Sequence, residues 1–524
     1  MAGGTCYDAF VGAKILRYRV RPETILRFFP FLLIAWTAWA QTPTLVQSKI
    51  WLGNGSTETG NNFVAHLNGP TGAGNLLVVF VNSPAGASSP TITDNTGSTT
   101  WINAGVSGCA TTGLSEAQRK HQLFYSQNAA GGIETITIAF SSAQFNINFG
   151  IAEFYNVAAS VDASVCAVQQ TGPNVSSGSL TTAADGDLIV NFVDDEADGN
   201  YNDNSAISAI GLCPTCTGLY ADQRWGMAGQ FAIQPTHGAM SLTSTWTQGT
   251  HDRFGSLAVA FKAASAGTAP AAGIRIVRMY VTEINSTTQP FSFPCSGNLL
   301  VAESPEGTFS VPITSITSTP SHTWAAINAG GSLYAQLFHV DNITDCPAGP
   351  GMLTGTIHSS SIIGQSFVYF FDIAGAAASP VDTNATCPAP SASGGAATGS
   401  CYNSAGQSSA GQSITDAPDI TPSTPNGLVI SGLNFGIGPF SGMIGAGFVF
   451  DAVWNTNESD QSLFADGDGE SHIYNSGATA LKFQYTTANN TAAYWQAMAT
   501  AFKAGATTGG QPPAPATGLS VAVH

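Results

Sequence analysis

Positive charge is what this sequence has least of. Its 524 residues hold 15 Lys and Arg against 32 Asp and Glu, a net charge of −17, and charged residues are only 9% of the chain. Binding a phosphate backbone needs clustered Lys and Arg. Beyond the first forty residues only Arg119-Lys120 and the Arg275/Arg278 pair come near a cluster, which argues against nucleic acid as a partner and disfavours anionic membrane surfaces. Helical periodicity is missing too, beyond the first forty residues. So are a Gly-x-Ser-x-Gly elbow, a His-Glu-x-x-His pair and a Gly-rich phosphate loop with its Lys, which removes the common hydrolase, zinc-protease and nucleotide-binding signatures. No later run is long and apolar enough for a transmembrane segment.

What is present begins with a leader. Lys14, Arg17, Arg19, Arg21 and Arg27 precede the apolar run Phe28–Trp36, and Ala38-Trp39-Ala40 offers a small-x-small cleavage site. The pattern predicts a signal peptide over residues 1–40 and a secreted product, extracellular or at the cell surface. Its loss takes five basic and two acidic side chains, leaving the mature chain more acidic still. Of the nine cysteines, Cys6 leaves with the leader. The rest fall four to each half: Cys109, Cys166, Cys213 and Cys216, then Cys295, Cys346, Cys387 and Cys401. In an exported chain they read as disulfides within each half, pairing open.

The chain then repeats itself. Gly74–Val78 returns as Gly297–Val301, Thr100-Trp101 as Thr323-Trp324, and Gln122–Asn128 as Gln336–Asn342. Phe154–Ala158 matches Phe370–Ala374, Val161-Asp162 matches Val381-Asp382, and Ala260–Ala263 matches Ala501–Ala504. The matches keep one order, as a duplicated module would. They bound modules at 42–264 and 274–504, with a semi-flexible linker at 265–273, a Pro/Gly-rich linker at 505–516, and 517–524 as the start of a possible further module. Thr135–Phe140 and Phe145–Phe149 alternate with period two, while Asp187–Val193 is a short continuous apolar run. Turn residues such as Asp94–Gly97 and Ala184–Gly186 punctuate them. The expected fold is all-β: two tandem antiparallel β-sandwich domains, jelly-roll-like, folding independently.

The order of the Gly74–Val78, Leu123–Asn128, Glu153–Val157 and Leu257–Ala263 strands resembles tandem β-sandwich modules of bacterial secreted and surface proteins. Those modules are similar to concanavalin A-like or jelly-roll lectin domains. Pro515–Val521 resembles the opening of a fibronectin type III-like module. The resemblance implies a fold and a location, and transfers no functional residue.

Candidate sites follow from residue chemistry. Trp225, Tyr201 and Trp454 lie near Asn- and Asp-bearing loops and are the expected ligand-binding aromatics, whereas the repeated Trp101 and Trp324 read as core. Calcium is the one cofactor suggested. Asp194, Glu196 and Asp198 in one acidic loop, and Asp466, Asp468 and Glu470 in another, combine carboxylates with glycine. A carboxylate pair such as Glu153 with Asp162 could serve a glycosidase, but the residue matched to Glu153 in the second copy is not acidic. The reading is a non-enzymatic extracellular protein for adhesion or carbohydrate binding, with glycans or cell-surface polymers as partners. The alternatives are a secreted carbohydrate-active hydrolase, or a structural spacer in a larger surface protein.

Overall fold

A computed structural model describes residues 42–51, 60–106, 109–110, 119–127, 129–144, 147–170, 173–195, 209–222, 227–247, 254–270, 273–284, 286–304, 313–327, 336–346, 352–360, 367–386, 402–403, 413–416, 421–436, 452–455, 466–474, 484–486 and 494–505. All of them belong to one unit, Gln41–His524. Among the described residues there is no helix, hence none long and apolar enough to cross a membrane.

The first strands are β1 (Thr44–Trp51), β2 (Gly60–His66), β3 (Leu76–Pro84), β4 (Thr91–Asp94), β5 (Thr100–Asn103), β6 (Arg119–Gln127), β7 (Thr135–Gln144) and β8 (Asn148–Tyr155). They form a five-stranded sheet, β1-β8-β3-β6-β5, and a three-stranded sheet, β2-β7-β4, both antiparallel. First and last strands are neighbours, so the chain wraps from one sheet to the other and back.

The same wrap recurs at once. The next strands are β9 (Val157–Gln170), β10 (Asn174–Ser176), β11 (Leu180–Thr182), β12 (Asp187–Asp195), β13 (Ala209–Gly211), β14 (Thr217–Asp222), β15 (Met227–Gln234), β16 (Gly238–Met240), β17 (Thr243–Thr247) and β18 (Phe254–Ala263). Their order is β9-β18-β12-β15-β14 over β10-β17-β13, with β11-β16 added.

A third set comprises β19 (Arg275–Glu283), β20 (Thr288–Phe293), β21 (Leu299–Ser304), β22 (Ile313–Thr319), β23 (Ala325–Ala326), β24 (Gln336–Asp341), β25 (Leu353–Ser359) and β26 (Phe367–Ala374). It runs β19-β26-β21-β24-β23 over β20-β25-β22. The fourth comprises β27 (Ala376–Thr386), β28 (Tyr402–Asn403), β29 (Ser413–Asp416), β30 (Gly427–Gly436), β31 (Ala452–Asn455), β32 (Asp466–Tyr474), β33 (Gln484–Thr486) and β34 (Tyr494–Ala504). It runs β27-β34-β30-β32-β31, with β29-β33 as the second sheet.

Each sequence repeat therefore contains two wraps, where one two-sheet sandwich per repeat was expected. The physical link between the two wraps is a doubly buried central strand. In β3, Leu77, Val79 and Val81 pack on the small sheet through Phe63, Ile92, Ile136 and Ile138. Leu76, Val78 and Phe80 face the other way, joining Leu188, Val190 and Phe192 of β12. Phe80 stacks on Phe192 at 4.9 Å, and Tyr125–Phe261 and Phe154–Phe231 meet edge-on at 5.3 and 5.2 Å. The large sheets of the first two wraps thus pack face to face, which is why β3 reads as a nearly unbroken apolar run. Each such Phe contributes roughly 1.5–3 kcal/mol of burial.

The strand register also corrects one sequence match. Leu76 pairs with Phe154 while Leu299 pairs with Ile373. Phe154 therefore corresponds to Ile373, and Glu153 corresponds to Asp372. Asn156 (φ 64°) and Gly375 (φ 77°) then coincide as the left-handed residue ending the strand. The counterpart of Glu153 is acidic after all; similar apolar residues three places apart had hidden it.

The halves meet along a ten-stranded sheet, closed by a parallel bridge between Asp222 of β14 and Val281 of β19. Arg278 Nε donates to the Gly218 carbonyl at 2.9 Å, and a Cβ on Gly218 would collide with Pro294. β1 lies beside its counterpart β19, and β2 beside β31. The linker, expected to be semi-flexible, is strapped down. Asn156 N donates to Ala266 O (2.7 Å), Thr268 N to Asn75 Oδ1 (2.7 Å) and Thr268 Oγ1 to Ala73 O (2.8 Å). Its contacts are made by backbone and hydroxyl groups, which a reading of apolar content passes over.

Candidate ligand-binding end of the sandwich

Two buried carboxylates turn out to be clasps. Glu153 accepts from Gln47 Nε2 (2.7 Å), Asn75 Nδ2 (2.5 Å) and Gly72 N (2.8 Å). Asp372 accepts from Arg278 Nη1 (2.6 Å), Gly297 N (2.7 Å) and Ser296 N (3.1 Å). Both hold the turn that leads into a central strand, and both partners, Gln47 and Arg278, follow the same bulge in the first strand of their wrap. Burial raises the Glu153 carboxyl above its ordinary range, against the opposing pull of Gln47, Asn75, Gly72 and Arg275.

Asp162 does the equivalent work in the second wrap. It accepts from Ala183 N and sits 3.4 Å from Lys262 Nζ; Asp382 likewise accepts from Ser423 N (2.6 Å) and Oγ (2.8 Å). The Ala183 hydrogen bond lowers Asp162, while burial and the neighbouring Asp162 push Asp187 up to about 6. Glu153 is thus occupied in the first wrap and Asp162 in the second, each holding backbone.

The other sequence candidates distribute as follows. Asp194 is buried as part of β12 and not in a solvated loop. Asp466, Asp468 and Glu470 likewise lie on β32, at alternate positions paired with Phe435, Leu433 and Ser431. Strand pairing continues into both acidic stretches, which a turn-based reading had ended earlier. Trp454 is on β31 opposite Gly469. Glu196, Asp198, Tyr201, Trp225, Cys387 and Cys401 lie outside the described residues. Among the described residues no group of three or more His, Cys, Asp or Glu is placed to hold a metal ion. Disulfides join Cys109–Cys166, Cys213–Cys216 and Cys295–Cys346, each within one repeat. Trp101 and Trp324 are half-buried against the cores of their wraps, their indole N–H groups donating to Asp94 and Ser318.

One end of the first pair of wraps gathers unusual polarity. Beyond the Phe80–Phe192 stack, the next row on the inter-sheet face carries Asn148, Asn82 and His121 from one sheet and Asp194 from the other. All four are at most 6% exposed. Neither polar atom of the Asn82 amide has a partner, nor does the Tyr220 hydroxyl, which lies over Gly150 where a Cβ would strike it. Burial first, and then the Asp194 charge, hold the Tyr220 phenol well above its ordinary range. At this same end Asp195 pairs with Phe254, and Asp222 with Met227. The described strand ends at Asp195, Asp222, Met227 and Phe254 therefore adjoin one another.

Sequence reading missed Lys49 and His66 in the first wrap. Burial lowers Lys49 to about 7, and burial plus the Lys49 charge lowers His66 to about 4. Lys49 occupies the place of Tyr280, found by counting from the shared bulge; the sequence shows only a lysine in a strand.

No protein-family model matches the chain, and no curated protein is significantly similar to it.

Proposed function

We propose that the protein is a secreted, non-catalytic carbohydrate-binding or adhesion protein of tandem jelly-roll sandwiches, released from its leader after Ala40. The observation that carries this reading is the convergence just described. The strand ends that flank the stretches bearing Tyr201 and Trp225 adjoin one another, and the same end holds the buried, unpartnered Asn82 amide and Tyr220 hydroxyl. An aromatic face and amide or carboxylate groups on a rigid scaffold are what a sugar ring needs. Lectin-like sandwich and fibronectin-like continuation remain part of this proposal, as does calcium at Asp194–Asp198 and Asp466–Glu470, testable by a chelator-induced fall in melting temperature.

A glycan array probed with the mature protein tests the central reading. Trp225→Ala should lower retention with little change in melting temperature, whereas Trp101→Ala should lower the melting temperature. Retention of no glycan would leave the spacer reading in its place.

A further inference from the structure

Lysine is scarce in this chain, and it recurs at one place. Of the five lysines beyond residue 40, Lys262 and Lys503 stand at matching positions in β18 and β34, the closing strands of the second and fourth wraps. Phe261 pairs with Val161 and Phe502 with Val381, and both valines are followed by aspartate, Asp162 and Asp382. On the other flank Phe261 pairs with Leu188 and Phe502 with Leu428. The same antiparallel register sets Asp187 opposite Lys262 but Gly427 opposite Lys503. The first and third wraps carry Tyr155 and Ala374 in the lysine's place. Of the four wraps, the second alone puts a lysine between two aspartates.

In the second wrap these groups touch. Lys262 Nζ is 3.4 Å from Asp162 Oδ1, and the Asp162 side chain is only 4% exposed. The other Asp162 oxygen accepts from Ala183 N. Asp187, fully buried, shares a hydrogen bond with Asp162, which requires a proton on one of the two acids. Burial favours the protonated form at Asp187 and the Ala183 amide favours the charged form at Asp162, so up to about pH 6 Asp187 holds that proton. An amine, a carboxyl carbon and an acid able to pass a proton are the parts of an amide condensation. Water ordinarily reverses that reaction, but groups held together reach effective molarities of roughly 10⁵–10⁸ M. In the fourth wrap Asp382 is held instead by Ser423 N and Oγ, and no second acid faces the lysine.

We propose that Lys262 and Asp162 condense into an intramolecular amide, a covalent cross-link between β18 and β9, with Asp187 as the proton carrier. The Lys262 ammonium passes one proton to the Asp162 carboxylate, and the neutral amine attacks Asp162 Cγ. The N–C bond forms and one C–O bond breaks. Asp187 gives its proton to the departing oxygen, which leaves as water, and recovers a proton from the nitrogen. Ammonium and carboxylate thus become amide and one water, with no oxidant and no net change in protons. The bond fastens β9, the edge strand of the ten-stranded sheet, which also carries Cys166 of the bridge to the first wrap. It belongs to the scaffold and does not rest on carbohydrate binding.

Mass spectrometry of the full mature chain, reduced and denatured, tests this without any variant. The chain should be lighter than its sequence by one water. Its digest should contain a branched peptide joined through Lys262 and Asp162, and trypsin should fail to cut after Lys262. Lys503 and Asp382 should be recovered unjoined in the same digest. Lys262→Arg keeps the charge pair but has no amine to condense, so it should restore the full mass and lower the melting temperature. Asp187→Asn keeps the shape without the transferable proton; most of its chains should stay unjoined and melt as Lys262→Arg does. A chain of full sequence mass, with Lys262 and Asp162 in separate peptides, would overturn the proposal. Complete joining in Asp187→Asn, or a joined Lys503–Asp382 pair, would overturn the part given to Asp187.

Discussion

The clasps at Glu153 and Asp372 place one geometry in two electrostatic settings. In the first repeat a neutral amide, Gln47, faces the acid; in the second a guanidinium, Arg278, does. Both acids are fully buried. Glu153 can therefore escape its burial cost by taking up a proton, surrounded as it is by neutral donors. Asp372 is held in an ion pair whose partner also bonds across the junction between halves, to Gly218. The first clasp fastens a turn within one wrap. The second fastens a turn and the seam together.

That contrast breaks most readily at the second clasp. Arg278→Ala leaves a buried carboxylate without its cation and should cost about 3–5 kcal/mol in urea unfolding. If the loss equals that of a surface arginine, the seam does not depend on this pair. Next in size is the bridge between wraps. Replacing Cys109 and Cys166 with Ser opens a loop spanning 57 residues and should cost about 4 kcal/mol on chain entropy. The same change at Cys213 and Cys216, three residues apart, should cost about 2 kcal/mol. Gln47→Ala comes third, at about 1–3 kcal/mol, because it removes one donor and leaves Gly72 and Asn75 in place. Its cost should grow as pH rises through the raised Glu153 range.

The smallest effect is read as a slope. Asp187 is raised from 3.8 to about 6 in the fold. A raised acid contributes stability that is complete below its unfolded value and is lost as pH rises through the folded one. The chain should therefore lose stability between about pH 4 and pH 6, and Asp187→Asn should flatten that segment of the curve. An unchanged slope in the variant would assign the titration elsewhere.

Much of the fold was legible because strand residues repeat where they must pack. Gly74–Val78 and Gly297–Val301 matched on sight. Gly186–Val190 and Asn426–Ile430 hold the same place in the other two wraps, but their opening residues and flanks had diverged, so four wraps read as two modules. Nothing in the sequence marks which sheets lie face to face, since a residue buried against its own small sheet and one buried against another wrap have the same chemistry. The clasps were hidden for a different reason. Glu153 and Asp372 are fixed by pairing register, and apolar residues on either side tolerate a three-residue slip in alignment. At the candidate ligand end, the sequence pointed to Asp194 and the loop aromatics. It could not show that Asn82 and Tyr220 are buried beside them, because those residues lie 112 and 26 positions away from Asp194 in the chain.

The Cys109–Cys166 bridge also determines how the protein would respond to force. A stretched segment of that length has a contour of roughly 190 Å, and the disulfide removes it from any extension. Cys295–Cys346 withholds roughly 170 Å in the same way. Cys213–Cys216 withholds almost nothing. Between the two long bridges lies the strap at 264–268, held by a handful of backbone and hydroxyl hydrogen bonds. Under load the strap should peel first and the bridged wraps last, so that oxidised and reduced protein differ in reach long before they differ in fold.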